Sequence, residues 1–140
     1  MGIPMAFYEL QGFFSINGML FYLATVIWIV GFDTLYALAD VDDDLKVGIH
    51  SSAVWLGDRA IEFVSYCYVL TVLLWLILLI REGAQFISYV LMAMIVFLFK
   101  HQLDMIKQDM SSAIAAFKLN HLVGAFYYLA LLIGSSTNLL

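Results

Sequence analysis

Residues 10–32 read Leu10-Gln-Gly-Phe-Phe-Ser-Ile-Asn-Gly-Met-Leu-Phe-Tyr-Leu-Ala-Thr-Val-Ile-Trp-Ile-Val-Gly-Phe32, 23 positions without a charged side chain. At about 1.5 Å per residue, such a run crosses a hydrocarbon layer about 30 Å thick as one helix. Three further uncharged runs follow at 63–80, 83–99 and 119–140. The third of the four runs is the shortest and reaches Leu103 if Lys100 lifts its ammonium toward the headgroups. The expected fold is an all-α polytopic membrane bundle with four transmembrane helices, at about 13–39, 62–81, 84–103 and 119–138. The first twelve residues are apolar but too short to span, and read as the tail of a preceding helix.

Composition agrees. Of 140 residues, 64% are hydrophobic and 12% charged, with a mean hydropathy of +0.98. Soluble domains run about 45–50% apolar and about 25% charged. A net charge of −5 argues against nucleic acid as a partner, since phosphate binding needs a basic surface. The single cysteine, Cys67, excludes an intrachain disulfide and a paired-Cys metal site, and reads as a small apolar residue.

Lysine and arginine set the expected orientation. Lys46 and Arg59 follow the first span, Lys100, Lys107 and Lys118 lie between the third and fourth, and Arg81 alone falls on the opposite side. Segments 40–61 and 104–118 are therefore expected in the cytoplasm, with Arg81, Glu82 and Gly83 and both termini outside. Within 103–117, Leu103, Ile106, Met110, Ile114 and Phe117 recur at three- and four-residue steps, which predicts an amphipathic helix along the cytoplasmic interface.

Five of the eleven carboxylates fall between Asp33 and Asp44. On a helix, Asp40 and Asp44 share a face, and Asp33 lies two turns back on it, with Tyr36 between. Such a stripe repels itself unless a cation sits among its oxygens. Mg²⁺ takes one or two carboxylates and completes its shell with water and phosphate oxygens, so the stripe suits a Mg²⁺–diphosphate site at the membrane edge. Asp42 and Asp43 read mainly as solvated helix-end charges. Asp33 follows a long apolar run, where an ionisable group is costly and functional by default. An EF-hand is excluded: Asp40, Asp42 and Asp44 fit its first ligand positions, but Leu45 replaces the glycine and Ser51 the bidentate glutamate.

The stretch Asp33-Thr-Leu-Tyr-Ala-Leu-Ala-Asp-Val-Asp-Asp-Asp-Leu-Lys-Val-Gly-Ile-His-Ser51 resembles the second aspartate-rich motif of the UbiA family of intramembrane aromatic prenyltransferases. Its 4-hydroxybenzoate polyprenyltransferase branch follows D-T-x-Y-A-x-x-D-x-D-D-D-x-K-x-G-I-x-S, and every fixed position is present. Gly2-Ile-Pro-Met-Ala-Phe7, Trp28, and Phe117, Asn120, Val123 and Gly124 agree with further stretches of that branch. His50 stands where the branch usually has Lys. The first motif of the family, N-D-x-x-D-x-x-x-D, is absent from this sequence. The resemblance thus implies that the four spans correspond to the last four of the family's nine helices, and that a missing N-terminal half carries the first motif.

What the resemblance further implies is transfer of a polyprenyl group from polyprenyl diphosphate to the ring of 4-hydroxybenzoate, in ubiquinone biosynthesis, with Mg²⁺ as cofactor. Asp40 and Asp44 are the expected Mg²⁺–diphosphate ligands, Asp33 a carboxylate that orients substrate, Lys46 a phosphate contact, and Tyr36 either a shield for the allylic cation or a hydrogen-bond partner within the acidic stripe. The expected location is a bacterial or mitochondrial inner membrane, with the active-site loops on the cytoplasmic side. Two alternatives stand beside this reading: a family enzyme with another aromatic acceptor, and a small non-catalytic membrane protein.

Overall fold

The computed structural model describes Met5 and residues 15–135. The segment expected to be the tail of a preceding helix lies outside the described residues apart from Met5. From residue 15 on, the described residues form seven α-helices: α1 (Ile16–Ala37), α2 (Val41–Val47), α3 (Ser52–Leu56), α4 (Ala60–Arg81), α5 (Phe86–Gln108), α6 (Ala113–Lys118) and α7 (Asn120–Ser135). Single 3₁₀ turns at Gly57–Arg59 and Met110–Ser112 lead into α4 and α6. No strand occurs among the described residues.

Among the described residues four stretches are long and apolar enough to cross a membrane: Ile16–Ala37, Ser52–Arg81, Phe86–Gln108 and Met110–Gly134. The chain is an all-α membrane bundle. Large apolar side chains such as Phe86 (82% exposed) and Phe97 (68%) face outward, as suits a lipid solvent.

α1 starts at Ser15, whose hydroxyl accepts from the Gly18 amide at 3.0 Å. It packs along α4, while α5 packs along α7. At the α1–α4 crossing a Cβ on Gly31 would lie 3.0 Å from the Cys67 Cβ and 3.3 Å from the Tyr68 ring, so this position has no room for a side chain. The core is aromatic. Trp75 is 1% exposed and stacks on Tyr127 at 3.8 Å, with Trp28 edge-on at 5.3 Å.

A buried polar relay links four helices. The Tyr68 hydroxyl of α4 donates to Gln102 Oε1 of α5 at 2.7 Å, and Asn120 Nδ2 at the start of α7 donates to the same oxygen at 3.2 Å. The Trp28 indole of α1 donates to Asn120 Oδ1 at 2.9 Å. At the far end of the bundle, Arg81 Nε donates to Asn17 Oδ1 at 2.6 Å, and Asn17 Nδ2 donates to Glu82.

The expectation of one amphipathic helix over 103–117 is corrected. α5 runs on to Gln108, and Asp109 is extended (φ −151°, ψ 112°). The Asp109 carboxylate accepts from the Ser111 amide at 3.0 Å and the Ser111 hydroxyl at 2.6 Å. A short acidic side chain that captures its neighbours' donors competes with helix continuation. The apolar stripe therefore divides: Ile106 is buried against α5's neighbours, whereas Met110 and Ile114 are exposed and Ala113 and Ala116 replace them inside.

Candidate active site

α1 ends without glycine or proline. Its last turn tightens as the Ala39 amide donates to Tyr36 O at 2.9 Å and the Asp40 amide to Ala37 O at 3.3 Å. Asp40 (φ −109°, ψ 5°) then caps α2, and its carbonyl accepts from the Asp43 and Asp44 amides at 3.1 and 2.8 Å. This corrects the sequence reading, which ran Asp33, Tyr36, Asp40 and Asp44 along one unbroken helix. The electrostatics favour the break. Four carboxylates at 40 and 42–44 are stabilised at the positive N-terminal pole of α2 and would be destabilised at the negative C-terminal pole of α1. α2 closes on Gly48 in the left-handed region (φ 79°), with Lys46 in its last turn.

The structure keeps Asp40 and Asp44 one turn apart and holds Asp33 and Tyr36 on α1. Both α1 residues are exposed, while Thr34 and Leu35 face inward. Lys46 Nζ pairs with Asp43 Oδ1 at 2.8 Å, both side chains being more than two-thirds exposed. A pair in so much water contributes little to stability and yields readily to another anion. His50 Nδ1 lies 3.2 Å from Gly48 O.

A cleft of about 830 Å³ opens beside α2. Leu38, Ala39 and Asp42 form one wall, and Asp58 and Ile61 another. Ser111, fixed by Asp109, stands on the third. These bonds hold the Asp109 carboxyl below its ordinary range, the Ser111 hydroxyl contributing most and its amide next. Asp42 and Asp58 were not legible as site residues. Asp42 reads as a solvated helix-end charge, and Asp58 enters through a bend at Gly57 (φ 54°, ψ −130°) that only the folded backbone reveals.

An aromatic ladder descends from the acidic end. Tyr36 lies 5.2 Å from the Phe117 ring, Phe117 5.7 Å from Phe32, and Phe32 5.4 Å from Trp28. Trp28, Phe32 and Phe117 also line an open recess of about 540 Å³ with Lys118 and His121.

A metal would find hard oxygen donors here, in keeping with Mg²⁺ held by one or two carboxylates and substrate phosphate. Among the described residues no three of His, Cys, Asp and Glu converge to hold a metal ion.

Residues 1–133 match the UbiA prenyltransferase family. The chain belongs to that family. It is 34% identical over 131 residues to a 4-hydroxybenzoate octaprenyltransferase of Francisella tularensis subsp. novicida, covering 91% of this chain and 45% of that protein. It is 37% identical over 140 residues to the 4-hydroxybenzoate octaprenyltransferase of Hahella chejuensis, covering 94% of this chain and 44% of that protein. The chain spans less than half the length of the curated relatives it matches. No solved structure matches it.

Proposed function

We propose that this chain supplies the second aspartate-rich motif of a prenyltransferase that moves a polyprenyl group from polyprenyl diphosphate to the ring of 4-hydroxybenzoate. The observation that carries the reading is the placement of Asp40 and Asp44 on one turn at the end of a membrane bundle, above an aromatic ladder. The spacing of the D-T-x-Y-A-x-x-D-x-D-D-D segment and the names of the relatives support the same acceptor.

Asp40 and Asp44 would hold Mg²⁺ against the diphosphate, and the ion would supply positive charge to the leaving diphosphate. Asp33 orients substrate from α1. Lys46 leaves its exposed pair with Asp43 to meet a phosphate oxygen. Tyr36, Phe117 and Phe32 present ring faces along the path of the prenyl chain and shield the developing cation. Asp42 and Asp58 keep the adjoining cleft anionic and hydrated. The complementary donors come from a segment bearing the first motif, N-D-x-x-D-x-x-x-D. Five of the six basic residues, all but Arg81, lie toward the acidic end of the bundle, which supports a cytoplasmic site in an inner membrane.

The test pairs this chain with the N-terminal half of the Hahella relative in membranes lacking their own activity. Polyprenyl diphosphate and a panel of aromatic acceptors are supplied. Prenylated 4-hydroxybenzoate is expected, and replacement of Asp40 or Asp44 by Ala should remove it. Failure of the paired chains, with the full-length relative active alongside, overturns the reading. An antibody to residues 100–118 measures the mass of the native polypeptide in its own membranes. A band near 15.8 kDa requires a separate partner chain, and one near twice that mass places both motifs on one chain.

A further inference from the structure

On the outer face of the bundle, α4 and α5 part to leave a groove of about 440 Å³. Its floor is the stacked pair Tyr68 and Phe99, with centroids 3.9 Å apart. Val69 and Leu73 of α4 and Val96 of α5 form its walls, and all three are exposed. The floor is rigid because the Tyr68 hydroxyl is tied to Gln102. One end carries Lys100, Asp104 and Lys107, all lining the same groove. Two turns separate the lysines, about 10 Å along the axis, so they stand on one face at different depths. Among the described residues neither lysine pairs with a carboxylate, and the end of the groove carries a net positive charge.

We propose that this groove is a binding site for an anionic glycerophospholipid. One acyl chain lies on the Tyr68–Phe99 floor, and the phosphate meets Lys107 at the headgroup level, with Lys100 reaching up along its own stem. Charge selects the ligand. A zwitterionic lipid brings a cationic group that Lys100 and Lys107 repel, whereas a phosphatidylglycerol-type headgroup brings only the phosphate. The apolar walls exclude a free inorganic phosphate as the main occupant, since it would leave them exposed. The proposal does not depend on which acceptor the enzyme prenylates, or on its being active.

The test is native mass spectrometry of the full chain released from micelles doped with phosphatidylglycerol or phosphatidylcholine of matched acyl chains. A retained adduct is expected with phosphatidylglycerol, and weaker retention with phosphatidylcholine. Lys100→Gln and Lys107→Gln should each lower the preference about five-fold, and the double variant more than ten-fold. Lys100→Arg with Lys107→Arg should keep it, and Asp104→Asn should strengthen it. Leu73→Trp, which fills the groove, should displace both lipids, and Lys118→Gln, away from it, should change nothing. Equal retention of the two lipids, or insensitivity to both lysines, overturns the proposal. So does a cross-link from Val69→Cys to another helix of a longer native protein, because the groove would then be covered by protein.

Discussion

The Trp28 indole of α1 donates to the Asn120 amide oxygen at the head of α7, 92 positions later in sequence, at 2.9 Å. Asn120 spends its own Nδ2 on Gln102 and on Phe117 O. Removing Asn120 therefore leaves the Trp28 indole N–H without its acceptor and takes one donor from Gln102 Oε1, which keeps the Tyr68 hydroxyl. Asn120→Ala should destabilise the bundle by about 1–2 kcal/mol. Reversible unfolding in mixed micelles measures it, and Trp28→Phe, which frees only one acceptor, should cost less.

Gly31 predicts a sharper steric effect. Gly31→Ala places a methyl 3.0 Å from the Cys67 Cβ, so α1 and α4 must separate at a cost of about 1–3 kcal/mol. The contact is with the Cβ and not the sulfur. Cys67→Ala should thus fail to rescue Gly31→Ala, and Cys67→Gly should rescue it in part, since the Tyr68 ring stays 3.3 Å away. The same unfolding assay separates the two.

In the assembled enzyme, Asp44→Ala should lower turnover by a factor on the order of 10³ while leaving thermal unfolding of the bundle unchanged. Asp43→Asn removes only an exposed pair with Lys46, and should shift stability by less than about 1 kcal/mol. Parallel loss of fold and activity in Asp44→Ala would assign that carboxylate a structural role.

Asp109 predicts a pH effect of definite sign. Its hydrogen bonds with Ser111 depress the folded-state pKa, so the stabilisation is present above the unfolded value of about 4 and is lost as pH falls through the lower folded value. Asp109→Asn should be less stable than the parent near neutral pH, with the difference narrowing in acid. Ser111→Ala should weaken the same dependence, because the hydroxyl is the main cause of the shift.

The spans were legible because hydropathy alone carries them: an uncharged run such as 10–32 has no other solvent than lipid. The ends of the helices were not. The α1–α2 break at 38–40 contains no glycine or proline, and the field that favours it depends on where α2 begins. The stripe from Leu103 to Phe117 keeps perfect helical spacing across Asp109, so periodicity conceals the interruption there. The acidic segment was legible through its spacing. The partners that surround it, Asp58 above all, were not, since they arrive from other segments. Nor does an apolar run say which of its side chains face inward: Trp75, within 63–80, is 1% exposed and belongs to the core.

The relay from Tyr68 through Gln102 and Asn120 to Trp28 acts as an index pin for the four long helices. Each contributes one group, and sliding any of them by a turn moves it about 5.4 Å, beyond the reach of its bond. In hydrocarbon the lost bond has no substitute. The elevation of Asp40 and Asp44 is therefore set from inside the bundle by two amides, an indole and a phenol. The connection between α4 and α5, at the far end, is free to vary without lifting the acidic end away from the membrane surface.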